Sequence, residues 1–98
     1  MNAALLILGA IAAQEIGEDC TLEGIALYGK VKIVEAFADL EVEVVEAFPD
    51  LKVKPVTVFP DACGEWQFVE SFPDFTVRRV EDFADLEIMF VESFPGWP

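Results

Sequence analysis

The chain has 98 residues, with 19 acidic and 6 basic side chains, a net charge of −13, and no histidine. More than half of it is apolar, including nine Phe, so it is neither a disordered acidic tail nor a chain without a core. The length allows one domain, and the charge argues against nucleic acid or anionic lipid as partner, since both require Lys or Arg to replace counterions.

Residues 3–13 read AALLILGAIAA. Eleven residues are too few to cross a bilayer, which takes about 20, so no transmembrane helix is expected. The run resembles the apolar core of a secretory signal, with Ala10-Ile11-Ala12 as a cleavage candidate, although no basic residue precedes it. The alternative is a short apolar helix packed on the core or on a second chain. The expected organisation is therefore an apolar N-terminal segment or signal remnant over 1–17 and one domain over 18–98, exported to the periplasm, cell envelope or medium.

Cys20 and Cys63 are the only cysteines, and neither lies in a C-x-x-C pair. Structural zinc needs four N or S ligands, and a nucleophilic thiol needs a neighbouring base that histidine cannot supply here. A disulfide or two buried thiols remain, and export favours the disulfide.

From Gly29 the chain repeats every eleven residues, in units beginning at Gly29, Leu40, Leu51, Ala62, Phe75 and Leu86; the fourth carries two extra residues around Gly64. The sixth position is always Val (Val34, Val45, Val56, Val69, Val80, Val91) and the ninth always Phe (Phe37, Phe48, Phe59, Phe72, Phe83, Phe94). Pro49, Pro60, Pro73 and Pro95 at the tenth position rule out a coiled coil of the same period, because an internal proline costs a helix about 3 kcal/mol. Apolar residues at positions 1, 3 and 5 mark a half-buried strand, and adjacent apolar residues at 5 and 6 mark its bulge or end. Phe-Pro-Asp then reads as a turn. The expected fold is all-β, six short strand-plus-turn modules, with the twelve Val and Phe residues as a repeated core and each Phe pinning its turn.

Ten acids occupy two module positions: Glu35, Glu46, Glu70, Glu81 and Glu92 the seventh, and Asp39, Asp50, Asp61, Asp74 and Asp85 the eleventh. Stacked modules would align them in ladders. Such ladders could bind Ca²⁺ or supply the carboxylate pair of a hydrolase. The turns lack the glycines of calcium solenoids, however, and a catalytic pair needs unlike environments where a repeat provides like ones. A solvated face with turn-forming Asp is the expectation, with no catalytic residue, metal site or cofactor. Lys30 and Lys32, then Glu41 and Glu43, then Lys52 and Lys54 hold the same positions in modules one to three, which predicts that those modules lie side by side.

Recurring V-E-S-F-P-D units, interrupted once at Asp61-Ala62-Cys63-Gly64-Glu65-Trp66 and closed by Phe94-Pro95-Gly96-Trp97, resemble the bacterial septoil-knot domain family. Cys20-Thr21-Leu22-Glu23-Gly24, leading to Leu27-Tyr28-Gly29-Lys30-Val31, is similar to that family's lead-in segment. The resemblance implies a small β-rich domain with a seven-crossing torus knot, and it brings no catalytic residues to carry over. Ala38 and Ala84 replace the turn proline, Thr57 replaces Glu, and Pro55 falls inside a strand, where it suggests an edge or a bulge. The function expected is that of a stable structural or interaction domain. A protein partner or second copy would bind through the apolar N-terminus or an open strand edge.

Overall fold

The computed structural model describes residues 15–97; the proposed signal remnant and short N-terminal helix lie largely or wholly outside them. The described chain is all-β, with no helix and eight strands: β1 Thr21–Leu22, β2 Ile25–Ala26, β3 Gly29–Ile33, β4 Leu40–Val44, β5 Leu51–Pro55, β6 Glu65–Phe68, β7 Phe75–Arg79 and β8 Leu86–Phe90. β1 and β2 form a small antiparallel hairpin, and the other six, one per module, close into a parallel barrel. Each strand ends at position five, where the alternation breaks. Pro55 is such an end, so its missing N–H leaves no gap in the ladder.

The barrel order is β3-β6-β5-β8-β4-β7. Every neighbour is staggered by two residues in the same sense, as in Leu40 opposite Val77 and Leu51 opposite Ile88. An even stagger preserves the inward–outward alternation across each interface, so positions 1, 3 and 5 face inward in every module. They build three rings. The first is Gly29, Leu40, Leu51, Gly64, Phe75 and Leu86, and the second Val31, Val42, Val53, Trp66, Val77 and Ile88; all twelve residues are buried. Below the first ring, Cys20, Leu22 and Leu27 seal the barrel. The Trp66 indole N–H donates to the Leu27 carbonyl at 3.1 Å. The third ring, at the opposite end, is open.

The charge pattern misleads about strand order. β3 lies between β6 and β7, and β4 between β7 and β8, so modules one, two and three do not touch along their strands. Each six-residue connection instead skips one strand: β3 reaches β4 across β7, β4 reaches β5 across β8, β6 reaches β7 across β3, and β7 reaches β8 across β4. The link from β5 to β6, lengthened by Ala62 and Cys63, goes to the adjacent strand. Four skips in one direction with one single step between them place β3, β4 and β5 at alternate positions and slot β6, β7 and β8 between them. Without the single step, the fourth strand would return to the place of the first. Ring closure also leaves the barrel with no open edge, so the expected docking of a partner on an exposed strand is corrected for these six strands.

Candidate functional site

Each connection arches over the strand it skips, and backbone chemistry fixes both feet of the arch. At one foot, the position-six Val N–H donates to a position-three carbonyl: Val34 to Val77, Val45 to Ile88, Val56 to Trp66, Val69 to Val31, Val80 to Val42 and Val91 to Val53, all at 2.8–2.9 Å. At the other foot, the position-eleven residue grips position two of the crossed strand from both sides. Asp74 N–H donates to the Lys30 carbonyl at 2.7 Å while its carboxylate accepts from Lys30 N–H at 2.8 Å. Asp85 does the same with Glu41, and Asp50 with Glu87. Asp39 uses the Thr76 hydroxyl in place of a carbonyl. In the last module Gly96 makes both bonds to Lys52 through its backbone. In the first arch, the crossed strand's Arg78 donates to the Glu35 carbonyl and pairs with Glu41 at 2.7 Å.

This geometry corrects the expected repeated core. The six Val are half-buried in the feet of the arches rather than inside the barrel. Phe37, Phe48, Phe59, Phe72, Phe83 and Phe94 are 78–101% exposed and pack nothing. In every module but the third, the strand crossed beneath the Phe occupies the space an inward ring would need. All six also hold left-handed backbone, with φ between 53° and 59°, where bulky residues are rare. Acids at positions seven and eleven flank the Phe on both sides in four of the six modules, and that polar setting is the signal in the sequence that Phe lies on an exposed segment.

The Asp set is divided between neighbouring strands, and in four modules its carboxylates serve as backbone acceptors. Among the described residues no three acids or cysteines come together as metal ligands. Cys20 and Cys63 are joined as a disulfide with Cα atoms 5.8 Å apart, tying the lead-in segment to the two inserted residues.

Sequence reasoning missed the open mouth. Ile33, Val44, Phe68, Arg79 and Phe90 of the third ring stand above Val42, Trp66, Val77 and Ile88, enclosing a cup of about 80 Å³. Phe68 meets Trp66 and Phe90 edge-on. The position-five residues are visible in the repeat, but which end of the barrel stays uncapped depends on the lead-in segment. A larger groove of about 590 Å³ runs beside the hairpin, lined by Ile25, Tyr28, Lys30, Pro60, Asp61 and Asp74 among others.

A closed parallel barrel built from six arched repeats defines a class of small all-β domain with crossing connections. The family model for the 7(1) septoil knot domain matches residues 24–98, and the chain belongs to that family. No curated protein matches the sequence.

Proposed function

We propose that the protein is a durable exported contact module, a small threaded barrel that presents six phenylalanines to a protein partner. The observation that carries this reading is the Phe set itself, each copy 78–101% exposed and left-handed. Holding an L-residue in that region costs about 1–2 kcal/mol, and full exposure returns nothing through burial. Stability alone gives no reason to repeat that cost six times. Contact does, because aromatic side chains are the strongest anchors at interfaces.

Charge supplies the partner's chemistry. Glu precedes the Phe by two residues in five modules, and Asp follows it by two in five, on a chain of net charge −13. A partner presenting Lys or Arg among apolar side chains would gain cation–π and ion-pair contacts together. Export is supported by the apolar run at residues 3–13 and by a disulfide, which persists in oxidising compartments. Family membership supports a knotted backbone. A threaded chain must unthread to unfold, so its durability would be a slow rate as much as a free energy.

The test compares wild type with a variant carrying Phe→Ser at all six positions, on an immobilised Lys/Leu amphipathic peptide, with polylysine as the control for charge alone. The expected result is unchanged circular dichroism, lost binding to the Lys/Leu peptide and retained binding to polylysine. Equal binding of both proteins to the Lys/Leu peptide would remove the Phe set from the function.

A further inference from the structure

The open mouth of the barrel is a second feature, independent of the Phe set. Its walls and floor are apolar except at one point. Ile33 is 61% exposed, Phe90 44% and Phe68 38%, a concentration of apolar surface around a concavity rather than singly scattered residues. Arg79 is the only charged residue lining the cup. The one ion pair among the described residues is that of its neighbour Arg78 with Glu41, so the Arg79 guanidinium stands at an apolar rim without a carboxylate.

We propose that this mouth binds a short branched aliphatic carboxylate, with its alkyl group on the Trp66 floor and its carboxylate on Arg79. The size follows from the cup. A volume of about 80 Å³ holds two to three groups the size of water at about 30 Å³ each, enough for the isopropyl end of a branched chain. The head follows from the guanidinium fork, which matches the two oxygens of a carboxylate. A second copy docked mouth to mouth is disfavoured, because it would bring two Arg79 side chains and two strongly acidic barrels together. The carboxylate could arrive as a free acid or as the C-terminal residue of a peptide; both present the same chemistry to the cup.

Two probes separate these sources: 4-methylpentanoate for the free acid and N-acetyl-leucine for the peptide end. The corresponding alcohol, 4-methylpentan-1-ol, isolates the apolar contribution. Binding is read from chemical shifts of the Ile33, Val44, Val77 and Ile88 methyls, and from Trp66 fluorescence in a Trp97→Phe background. Saturable shifts confined to the cup are expected, with a dissociation constant on the order of 1 mM for so small a ligand. Arg79→Gln, an exposed substitution that leaves the core intact, should weaken both carboxylates about tenfold and leave the alcohol unchanged. Whichever acid binds tighter identifies the source. Equal binding of acid and alcohol, indifference to Arg79→Gln, or shifts that follow protein concentration instead of ligand would each overturn the proposal. The last of these would assign the mouth to self-association.

Discussion

The ninth residue of each module is the least expected in the molecule. Burial habits favour Phe inside, yet every copy lies outside, on a backbone conformation that penalises it. Residue-by-residue hydropathy could not reveal this, because in five of the six modules the strand crossed beneath comes from a module three or four units away. A direct consequence is testable. Phe83→Asn exchanges a strained, unburied side chain for one that tolerates left-handed φ, and should raise stability by about 0.5–1 kcal/mol, read from the denaturation midpoint. A loss of 2 kcal/mol or more would reveal a packing role that its exposure denies. Gly64 behaves oppositely. At φ 85°, a Cβ there would overlap the Lys52 carbonyl oxygen and lie 2.7 Å from the Gly96 nitrogen. Gly64→Ala is therefore expected to cost 3 kcal/mol or more, roughly the penalty of a strained site with a backbone clash, and to appear chiefly as lost soluble yield.

At the level of the element, strand and turn were legible because their chemistry is local. Alternation at positions 1, 3 and 5 marks the strands, and the break at position 6 marks their ends. The position-eleven Asp was legible as a turn residue but not as a clasp, since its partners stand 37 or 44 residues away. Asp85 illustrates the difference. Its carboxylate accepts the Glu41 N–H at 2.8 Å, so Asp85→Ala should cost about 1 kcal/mol. Asp85→Asn keeps an acceptor oxygen and should cost less than half as much. Equal losses from the two substitutions, measured by urea denaturation, would show that the turn and not the clasp matters. The charged residues at positions 2 and 4 do not report the strand order, because modules one, two and three are not neighbours in the ring and the ion pair that forms joins module two to module five. It is half exposed and contributes little beyond register.

For the whole molecule, fold class followed from the repeat, whereas ring order and the uncapped mouth did not. Six near-identical strands carry no label for their neighbours. What sets the order is the inserted pair Ala62–Cys63, which the sequence marks only as an interruption. The disulfide anchors that same point, closing a loop of 43 residues in sequence separation. On the chain-entropy account such a loop stabilises by about 4 kcal/mol, so reduction should lower the unfolding free energy by roughly that amount. With the disulfide intact and the backbone threaded as proposed, unfolding at the transition midpoint should take hours or longer. Relaxation within seconds at the midpoint would argue against threading.

The alternation of β3, β4 and β5 with β6, β7 and β8 around the ring also bears on how the chain is made. Every strand in the first half finds both neighbours in the second half, and the reverse holds equally. As residues 29–61 leave the ribosome they have no mate among themselves, so no barrel layer can condense until the later modules emerge. Folding is therefore a late, single event with a high contact order and no stable half-product. Each half is a template for the other, and two fragments divided at Asp61 would be mutually dependent strangers: unstructured apart, and able to build the barrel only together.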